Sequence, residues 1–427
     1  MLPPAPNRSQ PILRFSAITD NFALVCPRMI SFAARYPSAP INPPARRSAP
    51  NADVHRAPCP AHREICMRRL SLSLLFSTVF ILAPVASAAP GAVQWQLDTG
   101  APVRAAPLLV GDTLIVGNAD GMLRGLDWPS RKPRWQQALK GSLGSQPTHA
   151  GDRIYVQTNR QVYALSVKDG RILWQRDLGD QGDWRGFKLW DTFQGSPVVH
   201  GDRLLVAFGD SLYALALADG ATRWRYESAY RLMATPTVVG DKVLIADGDG
   251  QLSAVALATG KALWRKQPGR DTIQTRIAVW NKLGIYGSRD AAVHAFDLNT
   301  GKEAWRASHD TSWVVGSALV QGDVAYIGSS DGLFFQALDA ASGRELWRVD
   351  TGQNAFTAPV YANGQLLLAT GDAYQLDRPG RVTAVGLDGK RHWQAELPAG
   401  LFGQPIVVGD TLMVGAENGR LYGVSLR

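Results

Sequence analysis

The feature that most constrains this chain of 427 residues is a tryptophan that returns at near-even intervals. The separations between its successive occurrences are 40, 39, 50, 40, 41, 42 and 46 residues. The residues of this series are Trp95, Trp135, Trp174, Trp224, Trp264, Trp305, Trp347 and Trp393. A period of about forty residues is typical of repeat architectures, in which each unit buries its faces against its neighbours. The sequence therefore predicts a ring or array of small, similar units.

Each unit contains enough short apolar runs for four strands, and the pattern is clearest between residues 235 and 264. Apolar or alternating runs cover residues 237–239, 243–246, 252–256 and 262–265. Glycine with an Asp or Thr neighbour separates the first run from the second and the third from the fourth, as tight hairpin turns require. Four-stranded units repeated around a ring predict an all-β fold, an eight-bladed β-propeller.

The ends of the chain predict how the ring closes. The last unit, from Gly403 to Arg427, stops without a tryptophan strand, whereas Trp95 precedes the first complete unit. A strand around Trp95 that joined the last blade would leave no unpaired sheet edge at the seam. The units are predicted to start near Ala105, Ser145, Gly195, Ala234, Gln274, Gly316, Thr357 and Gly403.

The first 88 residues differ from the repeats. Residues 1–66 are rich in proline and arginine, without strand or helix periodicity, and we interpret them as a mis-assigned or disordered N-terminal extension. Residues 67–88 have two arginines, an apolar stretch and a final Ala-Ser-Ala, the pattern of a secretory signal peptide. The mature protein is thus predicted to be a periplasmic propeller of residues 89–427.

These assignments change the charge and cysteine content that bear on function. The formal net charge of +9 includes +5 from residues 1–66 and +2 from residues 67–88, which leaves +2 for the propeller. All three cysteines, Cys26, Cys59 and Cys66, precede the signal peptide. The propeller therefore offers no basic stripe for nucleic acid, no disulfide or thiolate ligand, and no cysteine for lipidation. We expect a monomer with neither a membrane span nor a lipid anchor.

The lengthened segments are predicted to lie on one face of the disc. The turns on the other face are tight, whereas the length goes into residues 177–195, 226–233, 306–315 and 374–380. The first of these segments contains Trp184, Phe187 and Trp190, and the third contains Trp313. Aromatic residues in a loop indicate a binding surface, because a loop has little core in which to bury them. The alternative is that residues 177–195 form a local apolar core that caps the ring.

The eight-unit tryptophan repeat resembles the pyrroloquinoline-quinone-type propeller family, and its compact members are assembly factors of the BamB type. This resemblance implies a non-catalytic scaffold that binds an envelope protein, such as a β-barrel assembly component, and is thereby held near the outer membrane. In those factors two neighbouring blade-to-blade loops contact the barrel-protein partner. The matching positions here are Arg231 and Asp271. We expect these two charges to orient a partner that Trp184, Phe187 and Trp190 anchor.

Other functions stay open at this stage, since a repeat defines a fold more closely than an activity. The same family contains quinoproteins, so a small oxidoreductase that uses the quinone with calcium is the main alternative, whereas the scaffold needs no cofactor. A glycan-binding propeller would use the aromatic loop to stack sugars. His309-Asp310 is a hypothetical site of proton chemistry on the lengthened face. Residues 247–250 resemble part of a calcium loop but lack its final glutamate, which favours a propeller turn.

Overall fold

The computed structural model describes residues 89–179, 194–269, 271–309 and 312–427, and within them the strands form eight four-stranded antiparallel sheets. Each sheet is a blade whose first, innermost strand has three residues. The predicted all-β, eight-bladed propeller is confirmed. The innermost strands begin three or four residues after the predicted unit starts, for example at Leu108 and Ala278.

The strands of the first four blades are β2 (Leu108–Val110), β3 (Thr113–Gly117), β4 (Met122–Asp127), β5 (Pro133–Ala138), β6 (Thr148–Ala150), β7 (Arg153–Gln157), β8 (Gln161–Ser166), β9 (Ile172–Asp177), β10 (Val198–His200), β11 (Arg203–Phe208), β12 (Ser211–Ala216), β13 (Thr222–Glu227), β14 (Thr237–Val239), β15 (Lys242–Ala246), β16 (Leu252–Ala256) and β17 (Ala262–Lys266). The strands of blades 5 to 7 are β18 (Ala278–Trp280), β19 (Leu283–Ser288), β20 (Ala292–Asp297), β21 (Glu303–Ser308), β22 (Leu319–Gln321), β23 (Val324–Gly328), β24 (Phe334–Asp339), β25 (Glu345–Asp350), β26 (Val360–Ala362), β27 (Gln365–Thr370), β28 (Gly380–Gly386) and β29 (Arg391–Leu397). Blade 8 contains β30 (Ile406–Val408), β31 (Thr411–Gly415), β32 (Arg420–Ser425) and the N-terminal strand β1 (Val93–Asp98).

Blade 8 joins the two ends of the propeller. Strand β1 pairs antiparallel with β32, and Trp95 lies opposite Gly423. The strand that the last unit lacks is therefore supplied from the beginning of the propeller, and the edge of β32 is paired rather than exposed.

Each repeated tryptophan lies on the outermost strand of its blade and faces a small residue on the third strand. Trp305, for example, pairs with Ala295. The cross-strand partners of the eight tryptophans, in blade order from 1 to 8, are Gly125, Ala164, Ala214, Ala254, Ala295, Ala337, Ala384 and Gly423. A small partner leaves room for an indole ring to lie across the strand. The repeat thus contains two linked signals, a tryptophan and the small residue opposite it.

The same ring also contacts the next blade. The Nε1 of Trp305 donates a hydrogen bond of 3.1 Å to the carbonyl oxygen of Ala340, in the turn between the third and fourth strands of blade 6. A Cβ atom on Gly343 of that turn would lie 2.4 Å from Cε3 of Trp305. Contacts of this kind seal neighbouring blades together. The core is correspondingly made of interblade clusters, such as Leu205 and Leu212 of blade 3 packed with Val243 and Val255 of blade 4.

The blade topology defines the two faces of the disc. Turns between first and second strands, and between third and fourth strands, lie on one face. Turns between second and third strands lie on the other, together with the blade-to-blade connections, and we name this the connection face. No helix among the described residues is long and apolar enough to cross a membrane.

Candidate functional site

Three of the six predicted partner-binding residues lie on successive connections of the connection face. Arg231 is on the connection between blades 3 and 4, Asp271 on the connection between blades 4 and 5, and Trp313 on the connection between blades 5 and 6. Strands β13 and β21 extend to Glu227 and Ser308, so the first and third connections begin two or three residues later than the sequence predicts. We call these three connections, with the adjacent second-to-third-strand turns of blades 4 and 5, the connection surface.

A single turn of blade 4 joins Arg231 to the neighbourhood of Asp271. The backbone nitrogen of Gly248 donates to the Arg231 carbonyl oxygen at 2.9 Å, and the Thr272 hydroxyl donates to the Gly248 carbonyl oxygen, also at 2.9 Å. Leu232 pairs with Asp247 as an isolated β-bridge. Two connections that are 40 residues apart in sequence are thereby fixed to one turn.

The buried carboxylate of Asp247 holds this turn. Its Oδ1 accepts hydrogen bonds from the backbone nitrogens of Asp249 and Gln251, both at 3.0 Å, and its Oδ2 accepts one from the Ser228 hydroxyl at 2.5 Å. Asp247 is completely buried. A carboxylate that satisfies backbone donors in this way fits a propeller turn, as the sequence favoured, rather than a calcium loop.

An arginine that the sequence analysis did not identify links the surface to Trp313. The backbone nitrogen of Arg289 donates to the Thr272 carbonyl oxygen at 3.1 Å, and the Arg289 guanidinium donates to Oε1 of Gln274 at 2.7 Å. The Cζ atom of the same side chain lies 4.8 Å from the centre of the Trp313 ring, a cation–π contact. Its position in the second-to-third-strand turn of blade 5 was the available signal, because those turns share a face with the connections.

Two exposed tyrosines among the described residues add aromatic area to the connection face. Tyr230 is 51% exposed beside Arg231, and Tyr374 is 68% exposed on the long turn of blade 7. The hydroxyl of Tyr374 donates to Oδ1 of Asp331 at 3.0 Å. An amphipathic ring with an exposed face is a common contact in protein interfaces. Trp184, Phe187 and Trp190 lie outside the described residues, so their role as anchors stays a prediction.

His294 forms a hydrogen-bonded network with two carboxylates that the sequence analysis did not predict. His294 is buried between two carboxylates, with Nε2 at 3.0 Å from Oδ2 of Asp290 and Nδ1 at 3.1 Å from Oε2 of Glu303. Burial acts to raise the pKa of Asp290, but the hydrogen bond and charge of His294, with smaller contributions from Ser288 and Arg306, outweigh it and hold that pKa below its usual value. This network buries charge inside blade 5 without an evident nucleophile.

His309 is placed differently. Its Nε2 lies 2.8 Å from Nε2 of Gln336, and its ring packs edge-on against Phe334. Asp310 lies outside the described residues, so the pair proposed for proton chemistry stays untested. The described part of the chain contains no group of three or more His, Cys, Asp or Glu residues that could hold a metal ion.

A central channel opens among the innermost strands, with a cavity volume of about 820 Å³. Residues of all eight blades line it, and the described lining contains no aspartate or glutamate. A quinoprotein of this family would need a catalytic aspartate and carboxylate ligands for calcium. The described residues that line the channel therefore do not fit a calcium-bound quinone.

Comparison with known proteins agrees with the fold. The family profile described as "Outer membrane protein assembly factor BamB" matches residues 84–185, 162–280 and 289–427. BamB of Yersinia pestis is 23% identical over 341 residues, covering 74% of this chain and 83% of the relative. BamB of Escherichia coli strain K12 is 24% identical over 344 residues, covering 75% and 83%.

The fold also matches a solved member. The crystal structure of BamB from Moraxella catarrhalis superposes with a TM-score of 0.63 and 18% identity, covering 78% of this chain and 99% of that one. At this identity the superposition shows a shared fold. The family profile covers more than half of the sequence, and the chain belongs to the BamB family of outer membrane protein assembly factors.

Proposed function

We propose that this chain is a non-catalytic periplasmic scaffold that binds a β-barrel assembly component and takes part in the assembly of outer-membrane proteins. The family assignment supports the process, and the predicted signal peptide at residues 67–88 supports the compartment. The observation that carries the proposal is the continuity of the connection surface. Arg231, Asp271 and Trp313 come from three connections that share hydrogen-bonded or stacked neighbours.

The surface is suited to binding without a large rearrangement. Gly248 and Thr272 fix the backbones of two connections to each other through bonds of 2.9 Å. Loops ordered in this way lose less conformational entropy when a partner binds. The surface also combines exposed aromatic area at Tyr230 with opposite charges at Arg231 and Asp271. Aromatic anchors supply contact area, and the charges set the orientation of the partner.

In this proposal a protein partner, rather than the chain's own charge, holds the propeller near the outer membrane. The propeller carries a formal charge of only +2 after residues 1–88 are excluded, so electrostatic attraction to an anionic membrane surface is weak. The proposal therefore places the chain in the periplasm, held at the outer membrane by its partner.

Charge reversal at Arg231 tests this function. The purified protein is immobilised, and binding of the purified periplasmic region of the host's barrel-assembly protein is measured by biolayer interferometry. We expect Arg231→Glu to weaken binding by about two orders of magnitude, since a rim attraction becomes a repulsion toward the same partner charge. The matched control is Arg223→Glu, an exposed arginine on the outermost strand of blade 3.

Two further measurements make the result decisive. Arg231→Met removes the charge while keeping much of the side-chain length, and its thermal midpoint shows whether the connection remains folded. Loss of binding in both Arg231 variants, with midpoints close to that of the parent protein, supports the proposal. Unchanged binding in a folded Arg231→Glu protein would remove this residue from the interface.

A further inference from the structure

Each blade ends in an outermost strand whose outer side pairs with no described strand, and β1 differs from the other seven in sequence. In blades 1 to 7, the five residues centred on the repeated tryptophan contain at least one charged side chain. These charged residues are Arg134, Arg176, Arg223, Arg225, Arg265, Lys266, Glu303, Arg306, Glu345, Arg348 and Arg391. In β1 the same window, residues 93–97, reads Val-Gln-Trp-Gln-Leu and contains no charge.

The missing charge matters because the outer side of an edge strand presents unpaired backbone groups to other chains. A charged side chain on such a strand opposes pairing, since a second strand would have to bury the charge. In β1, Val93 is 45% exposed, and the side chains of Gln94 and Gln96 are exposed as well. An uncharged strand without proline is the kind that accepts another strand. Among the outermost strands, β1 is therefore the one best suited to pair with a further chain.

Strand β1 is also held rigidly in place. One side pairs with β32 along its length. The Trp95 ring is packed by blade 1, where Cζ of Arg131 lies 5.1 Å from the ring centre and Trp128 makes an edge contact at 6.0 Å. The Thr411 hydroxyl donates to Oε1 of Gln94 at 2.9 Å. A strand ordered in this way loses little conformational entropy when another strand pairs with it.

The sequence of β1 is self-complementary about Trp95. Val93 and Leu97 are apolar and lie at equal distances from the tryptophan, and its two neighbours are both glutamine. In an antiparallel pair of two copies centred on Trp95, Val93 lies opposite Leu97 of the second copy. In the same register, Gln94 lies opposite Gln96 of the second copy. Each copy then receives the contacts that it offers, which is the requirement for an interface with two-fold symmetry.

We propose that the outer edge of β1 pairs with β1 of a second copy of this chain, in an antiparallel dimer centred on Trp95. The pair joins two four-stranded blades into one continuous sheet. The only charged residue of β1 is Asp98, three residues after Trp95. The centred register separates the two Asp98 residues by about 20 Å along the strands, well beyond the Debye length of about 8 Å.

The dimer is expected to be weak and independent of the scaffold function. A pair of five-residue segments is smaller than a standard protein interface, so we expect a dissociation constant in the micromolar range. The edge of β1 lies on the rim of the disc, whereas the scaffold function is assigned to the connection surface. Loss of one activity therefore leaves the other in place.

Sedimentation velocity tests the proposal. The protein is purified from the periplasm of a host that expresses the full chain, and it is measured from about 1 µM to about 1 mM. We expect a reversible rise of the sedimentation coefficient toward that of a dimer. Gln94→Lys should weaken self-association by at least about tenfold, because it places a charge on the edge. Ala304→Lys adds the same charge at the matching position of β21, and it should associate like the parent protein.

A compensating variant tests the register. Position 94 of one copy lies opposite position 96 of the other, so Gln94→Lys combined with Gln96→Glu should restore association to within about threefold of the parent protein. In a register shifted by one residue on each strand, lysine would lie opposite lysine, and association would stay weak. Thermal midpoints close to that of the parent protein show that β1 still closes the ring in these variants.

A peptide with the sequence of residues 91–99 tests the occupant in the parent protein. It should inhibit dimer formation, whereas a scrambled peptide of the same composition should not. Equal inhibition by both peptides would assign the edge to any extended chain and overturn the second copy as its occupant. The proposal is also overturned by a monomer throughout the concentration range, the state predicted from the sequence, by undiminished association of a folded Gln94→Lys protein, or by a compensating variant that stays weak.

Discussion

The contact of Trp305 with blade 6, which seals two blades together, predicts that a Gly→Ala substitution lowers the free energy of unfolding by different amounts at two glycines of blade 6. Gly322 and Gly343 both have left-handed backbone, with φ of 61° and 72°. A Cβ atom at Gly322 would meet nothing within 4 Å, whereas at Gly343 it would lie 2.4 Å from the Trp305 ring. Alanine at either position lowers stability by about 1–2 kcal/mol, because a residue with a Cβ atom is strained in left-handed backbone. Only Gly343→Ala adds an overpacking cost of about 1–3 kcal/mol.

Unfolding midpoints in guanidinium chloride and on heating measure the difference. We expect Gly322→Ala to cost about 1–2 kcal/mol and Gly343→Ala about 2–5 kcal/mol. Trp305→Leu removes the ring that causes the clash, although the substitution alone costs stability because the indole seals two blades. In the Trp305→Leu background, Gly343→Ala should therefore cost no more than Gly322→Ala does.

Equal costs for the two glycine variants in the parent protein would refute the seal. An additive double variant, in which Gly343→Ala loses the same stability with and without Trp305, would refute it as well. Either result would mean that the turn yields without strain and that the indole ring does not fix the position of the next blade.

Two further predictions concern turns on opposite faces of the disc. The hydrogen bond and charge of Arg134 lower the pKa of Asp112 to about 2, so this pair stabilises the fold above pH 4 and ceases to do so as the pH falls through 2. The difference in thermal midpoint between the parent protein and Arg134→Met should therefore shrink from pH 5 to pH 2. A difference that grows on acidification would contradict the predicted direction of the pH dependence. Asp247→Ala should lower the free energy of unfolding by about 2–4 kcal/mol, because it leaves the backbone donors of the turn and Ser228 unpaired. Calcium should leave the thermal midpoint of the parent protein unchanged. A midpoint that rises with calcium would contradict the assignment of this segment as a plain turn.

The repeat could be predicted from sequence because its signals are local. In blade 4 the predicted runs 237–239, 243–246, 252–256 and 262–265 differ from the observed strands by at most one residue at an end. Glycine turns and the outermost tryptophan delimit each strand within a few residues of the chain. Eight copies of one pattern also make each assignment support the others.

The site could be predicted only in part because its contacts cross between blades. Arg231 and Asp271 were predicted from the resemblance to two partner-contacting loops of the family, but Arg289 joins Trp313 through a cation–π contact that no sequence spacing specifies. The His294 network likewise depends on the register of β20 against β21, which sets Glu303 beside the ring. Part of the channel lining could have been predicted from the sequence, since each blade contributes the residue that lies two positions before its innermost strand.

Site-specific crosslinking in the host cell tests the central claim most directly. A photoreactive amino acid replaces Tyr230, which is 51% exposed on the connection surface, or Thr259, which is exposed on the opposite face. The scaffold account predicts a crosslink to the barrel-assembly protein from position 230 and none from position 259. No crosslink to that protein from position 230, or equal crosslinking from both faces, would contradict the account.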